Sequence, residues 1–276
     1  MIISSKLIKI LIHMILIFIG LIWIFPFIWM ILGSLKTNTE FMISGNPIPD
    51  GFNWENYSRA WIDANFSAYF LNTVIMTVAT VIIVVFLCSL TGYALGRVDF
   101  PGKKTILGIV VGIMFIPKGY TIIPLYELVD QLGLTNSLFG IILAESSGAH
   151  TLFVLLFTSY FATLPKEMEE AAIMDGCGFV KTFFKVMLPL AKPIMATTVI
   201  MQFIWTWSSF LIPTVLTISK PELRTLAVGM QNFVGQYSTD WAGMAAGATI
   251  SLLPVLIVFI LMQRYFIEGV AGAVKQ

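Results

Sequence analysis

Charged positions are rare along this chain and come in bursts, and the apolar stretches between them are long. Residues 10–35, 64–96, 193–219 and 241–263 contain no Asp, Glu, Lys or Arg. About 20 apolar residues cross the hydrocarbon core of a bilayer as a helix. Each of the four runs is long enough, so each predicts a transmembrane helix. Two further stretches are less clean. Residues 105–117 are followed by Lys118 before apolar character resumes through Leu125, and residues 138–164 contain Glu145 and His150. The pattern predicts an all-α polytopic membrane protein with six transmembrane helices, forming a single membrane domain over residues 1–276.

Composition points the same way. The 276 residues are 58% hydrophobic and 11% charged, against about 45–50% and about 25% in soluble domains. Too few charges remain to cover a water-exposed surface of this size, so lipid must cover much of it. A net charge of +1 gives no sign of nucleic-acid binding. Cys88 and Cys177 stand apart and lack clustered histidines. They predict neither a disulfide framework nor a metal site. Lys6 and Lys9 precede the first apolar run as in a signal peptide. That run far exceeds the roughly 7–15 residues of an h-region and lacks an A-x-A-like cleavage site. It reads as a retained helix.

Basic residues orient the chain. With six crossings and the N-terminus inside, the inner segments hold Lys6, Lys9, Arg97, Lys103, Lys104, Lys166, Lys181, Lys185, Lys192, Arg264 and Lys275. The outer segments hold Lys36, Arg59, Lys118, Lys220 and Arg224. Eleven of the 16 basic residues thus fall inside and five outside, which follows the positive-inside rule and puts both termini in the cytoplasm. The outer segment 36–63 combines turn formers with Trp54, Tyr57 and Trp61. Its aromatics suit either the headgroup level of the membrane or a docking surface for an external partner.

The segment 164–193, LPKEMEEAAIMDGCGFVKTFFKVMLPLAKP, falls on the inner side. Pro165 suits a first helical position, and Glu167, Glu169 and Glu170 favour a helix N-terminus. A short helix should run to about Met174. Asp175-Gly176 signals a turn, and Gly178 adds freedom. A second helix over 179–187 should lead to Pro189 and the fifth crossing. The expected unit is a helix–turn–helix along the membrane, with Ala171 and Ala172 small enough for close approach by a partner.

These residues carry a resemblance. Glu170-Ala171-Ala172, Asp175-Gly176, Leu188-Pro189-Leu190 and Pro193 resemble the EAA loop of ABC importer permeases. Ala94-Leu95-Gly96-Arg97 with Phe100-Pro101-Gly102-Lys103 resembles the family's second inner loop. Pro124-Leu125-Tyr126 and Leu132-Gly133-Leu134 resemble its third outer segment. The end, Gln263-Arg264-Tyr265-Phe266 through Gly269 and Ala271 to Lys275, is similar to the maltose-type carbohydrate permeases, in particular the shorter, MalG-like subunit.

The resemblance implies a type I ABC importer-like subunit in the cytoplasmic membrane of a prokaryote. Its implied partners are a second permease subunit, two ATPase subunits and an extracytoplasmic solute-binding protein. Glu170, Ala171, Ala172, Asp175 and Gly176 would form the ATPase-coupling element. The tail of Ala271, Gly272, Ala273, Val274 and Lys275 would also reach towards the ATPases. The chain has no G-x-x-x-x-G-K-[ST] loop to cradle phosphates, so it is expected not to be an enzyme and to bind no cofactor. ATP and Mg belong on the partner ATPase, and energy must enter mechanically.

Polar residues within the apolar runs are candidates for a carbohydrate pathway. Glu145 is the ionisable residue deepest in apolar sequence. Its cost there, about 2.5–3.5 kcal/mol at mid-bilayer, favours a cavity-facing or paired position. It would bond a sugar hydroxyl or pair structurally, for example with Lys118. Trp205, Trp207, Ser208 and Ser209 offer aromatic platforms beside small polar groups, as sugar rings require. The family commonly has Trp-Asn where Trp207-Ser208 stands. Asn72 is a weaker candidate, and His13 and His150 suit helix–helix contacts. Other readings stay open: ABC import of another solute such as a glycerol phosphate, or an ion-coupled carrier. The isolation of Glu145 argues against the carrier.

Overall fold

The computed structural model describes residues 5–148 and 150–274, with side chains except at Ser5, Leu7, Lys118 and beyond Arg264. Among these residues the secondary structure is helical, apart from one isolated bridge between Val234 and Thr239. We number the principal helices α1 (Ser5–Gly33), α2 (Phe66–Arg97), α3 (Lys103–Ile113), α4 (Ile122–Gln131), α5 (Leu138–Ser147) and α6 (Thr151–Thr163). They continue as α7 (Glu167–Met174), α8 (Phe179–Leu190), α9 (Lys192–Trp207), α10 (Leu211–Leu216) and α11 (Trp241–Val274).

Three helices are long and apolar enough to cross a membrane: α1, α2 and α11. The count reaches five if the bent pairs α5–α6 and α8–α9 are each one crossing. The uniform helices expected at 105–125 and 193–219 are broken instead. The first of these stops at Ile113, and Pro117, in an extended conformation (ψ 124°), lies in the break before α4 begins at Ile122. The second stops at Trp207 and restarts as α10. Apolar run length registers the first break only through Lys118 and the second not at all, because residues 208–210 are uncharged.

Contacts gather the chain into two units. The first comprises residues through Ser67 together with Gly229–Leu253. In it, the apolar window of α1 has no buried residues, so lipid or another chain must cover this helix. The segment 36–63 folds onto the start of α11. Asn38 accepts the N–H groups of Trp241 (2.8 Å) and Ala242 and donates to Thr239 O at 3.1 Å. Asp240 accepts from Gly243 N–H at 2.9 Å and pairs with Arg59 at 3.0 Å. These side chains satisfy donors that any helix start leaves open. Buried Asn56 donates to the carbonyls of Ser34 and Lys36, closing the turn out of α1.

The second unit comprises Ala68–Val228 with the chain from Pro254 onward. Its core is built where α2 meets α6. Gly92 and Gly96 form a G-x-x-x-G pair on one face of α2, which lets two backbones approach closely. A Cβ on Gly96 would lie 2.7 Å from Thr158 O, and one on Gly92 would collide with Phe157. Tyr93 stacks on Phe179 of α8 (4.8 Å), packs at a tilt on Phe183 (5.3 Å) and meets Phe161 of α6 edge-on. Phe153, Phe157, Phe161, Phe183 and Met187 complete this fully buried aromatic core. A smaller cluster of Met76, Val129, Ile141, Ala144 and Leu216 joins α2, α4, α5 and α10.

Candidate functional site

The segment 164–193 folds as the pattern of prolines, acids and glycines dictates. Glu167, Glu169 and Glu170 occupy the first turn of α7, where the helix dipole favours negative charge. The helix ends at Asp175. Gly176 takes a left-handed conformation (φ +77°), and its N–H bonds Ile173 O at 2.9 Å. The Cys177 N–H reaches back to Ala172 O at 2.9 Å. This pair of bonds is a Schellman cap, which places glycine at the residue following the C-cap. α8 then runs back, with one π-turn at Phe183–Met187, and meets α9 at an angle of 78° after Ala191.

Of the coupling candidates, Ala172 is buried while Glu170, Ala171, Asp175 and Gly176 are exposed. Beside them Ile173 and Met174 are 62% and 87% exposed. The loop tip thus presents two bare apolar side chains, while Ala172 faces inward.

One residue that the sequence showed only as an inner-side charge and as part of a resemblance roots this loop. Arg97 is the last residue of α2, and its side chain is 5% exposed. Its Nε donates to Glu169 Oε2 at 2.7 Å. Nη1 donates to the carbonyls of Leu164 (2.8 Å) and Phe161 (3.3 Å), and Nη2 to Pro165 O at 3.2 Å. The fork therefore caps the open carbonyls at the end of α6 and grips the first turn of α7 together. The G-x-x-x-G preceding Arg97 was the available signal, since it marks α2 as a helix others pack against.

The pathway candidates divide into two groups. Ser209 Oγ donates to the carboxylate of Glu145, and His150 Nε2 lies 3.0 Å from Glu145 O. His150 stacks on Phe153, which stacks on Trp205 at 5.0 Å. Trp205 is 41% exposed, Ser208 exposed and Glu145 half-buried. A chain of contacts thus runs from Ser209 through Glu145, His150 and Phe153 to Trp205, while Ser208 Oγ donates to Ile204 O at 2.6 Å. Trp207 and Asn72 lie elsewhere. Trp207, 5% exposed, stacks on Phe203 (5.3 Å) and meets Phe70 of α2 edge-on. Asn72 is buried with both its side-chain amide bonds spent on backbone carbonyls, Glu222 O at 2.8 Å and Arg224 O at 3.0 Å. In the tail, Ala271, Gly272, Ala273 and Val274 are the last residues of α11, and Lys275 lies outside the described residues.

Helices long and apolar enough to cross a membrane, joined by a capped helix–turn–helix loop, define the class as an integral membrane protein. Residues 67–272 match the family described as the binding-protein-dependent transport system inner membrane component, and the chain belongs to that family. It is 35% identical to the diacetylchitobiose uptake system permease protein NgcG of Streptomyces coelicolor, over 96% of this chain and 86% of the relative. It is 32% identical to the melibiose/raffinose/stachyose import permease protein MelC of Bacillus subtilis, over 91% of each. Its fold is that of a type I ABC importer permease. It superposes with a TM-score of 0.80, at 24% identity, on the crystal structure of a bacterial ABC transporter involved in importing the acidic polysaccharide alginate, covering 95% of this chain and 98% of that one.

Proposed function

We propose that the chain is one half of a pore that admits a carbohydrate, most naturally an oligosaccharide, across a prokaryotic cytoplasmic membrane. A second permease subunit completes the pore, two ATPase subunits bind ATP and Mg, and an extracytoplasmic binding protein delivers the solute. In this reading both termini face the cytoplasm, and the chain crosses six times, with α3 and α4 making one broken passage. The observation that carries the reading is the coupling loop. Its exposed tip at Ile173 and Met174 offers an apolar seat to an ATPase, and Arg97 fixes its root to the membrane helices. The tail from Ala271 to Lys275 adds a second contact to the ATPases.

Mechanically, nucleotide-driven closure of the ATPases displaces α7, and packed helices follow as rigid bodies to alternate access. A carbohydrate is supported by the acid, hydroxyls and partly exposed indole that Glu145, Ser208, Ser209 and Trp205 supply, and by the sugars in the names of the relatives above. The deciding experiment is co-purification of the complex with stimulation of its ATPase by a panel of loaded binding proteins. Stimulation by an oligosaccharide-loaded protein is expected. Stimulation by a non-carbohydrate solute alone would overturn the sugar assignment.

The same residues give a finer prediction. Glu145→Gln keeps an oxygen to accept from Ser209 while removing the charge. Hydrogen bonds to charged groups contribute about 1 kcal/mol more than neutral ones, so the half-saturating sugar concentration for uptake should rise about fivefold. An unchanged value with normal assembly would return Glu145 to a purely structural pairing.

A further inference from the structure

We infer that α2 is the rod that carries movement of the coupling loop to the opposite end of the membrane domain, with Arg97 and Asn72 as its two fastenings. The inference rests on the proposal that an ATPase displaces α7. It goes further by naming the route.

Three observations carry it. First, α2 is held to the coupling loop at one end through the Arg97 fork on Phe161, Leu164, Pro165 and Glu169, reinforced by Tyr93 stacked on α8. Second, it is held at the other end to the segment that follows α10. Asn72 donates to the carbonyls of Glu222 and Arg224, and Thr73 Oγ1 accepts the N–H of Leu226 at 2.9 Å. Thr73 and Leu226 are fully buried, so these bonds are shielded from water and from exchange with it. The two fastenings are 25 residues apart, about 37 Å along a helix, which exceeds the roughly 30 Å of a hydrocarbon core.

Third, α2 is the stiff member of its class. Of the three helices long enough to cross, α1 contains Pro26 and α11 contains Pro254, whereas α2 contains no proline. The α5–α6 and α8–α9 pairs are bent by more than 40°. Kinks arise at proline and at breaks in the hydrogen-bond ladder. A displacement entering α8 and α9 meets the 78° joint immediately. One entering α2 through a four-acceptor guanidinium grip passes along an unbroken ladder. Arg97 is thus a positioning residue for coupling, and the segment 221–226 is where its effect emerges.

The test uses the intact complex in lipid nanodiscs, with Cys88→Ser throughout. One nitroxide is placed on native Cys177, and in a separate Cys177→Ser preparation one is placed on Glu222→Cys. Spectra are taken before and after trapping with ATP, Mg and vanadate. In the parent, both labels should respond. In Arg97→Gln and in the milder Glu169→Gln, the Cys177 label should still respond, while the response at 222 falls at least threefold. Asn72→Leu, which leaves the coupling loop untouched, should silence 222 alone and covers the event that the Arg97 variant does not assemble. A full response at 222 in the Glu169 and Asn72 variants overturns the rod. Silence of Cys177 in the parent removes the ATPase-driven loop itself, and the rod with it.

Discussion

Gly176→Pro is expected to leave the chain in the membrane and to abolish both uptake and substrate-stimulated ATP hydrolysis. Gly176 holds φ at +77° and its N–H closes one of the two cap bonds. Proline has no N–H and fixes φ near −65°, so both bonds of the cap fail and the chain leaves α7 in another direction. The helix axis that an ATPase would grip then points away from its seat. A proline misplaced in this way costs about 3 kcal/mol, enough to shift a two-state equilibrium by roughly 100-fold. Gly176→Ala separates conformation from contact, because nothing lies within 4 Å of the added Cβ. The left-handed cost alone is about 1–2 kcal/mol, so alanine should impair coupling partly. Normal uptake by the proline variant would refute the coupling role of the loop.

That loop was the most legible part of the molecule. Each of its features is a local rule: acids at a helix start, a glycine at its end, prolines on either side. Local rules survive whatever the rest of the chain does. The long crossings were legible for the same reason, since uncharged length is a property of the sequence alone. The broken passages were legible only in part. Lys118 flagged the first, whereas the stretch after Trp207 interrupts a helix with uncharged residues that run length does not distinguish from their neighbours. Arg97 was visible as an inner-side positive charge, which is true and incomplete. Its four acceptors come from residues 64 to 72 positions away, and no spacing rule links them. Asn72 illustrates the converse. A buried amide in an apolar run invites a ligand, but its donors were already committed to a segment 150 residues on.

The paired tryptophans of α9 make the sharpest test of how far such residue types can be trusted. Trp205 and Trp207 are two positions apart, so on a helix they face nearly opposite ways. From sequence they were equal candidates to stack against a sugar. In the fold, Trp207 is sealed between Phe203 and Phe70, where it joins α9 to α2, whereas Trp205 keeps 41% of its surface free. Trp207→Ala should therefore act through stability. Removing a buried tryptophan typically costs about 3–5 kcal/mol, which should lower the yield of assembled complex and its thermal midpoint. Trp205→Ala gives up one stacked partner, Phe153, worth about 0.5–1.5 kcal/mol. It should assemble and melt nearly as the parent does while needing more sugar to half-saturate uptake. Melting curves and uptake kinetics on both variants decide the matter. If Trp207→Ala melts normally yet loses sugar affinity, that indole lines the pathway, and the packing between α9 and α2 must open during the transport cycle.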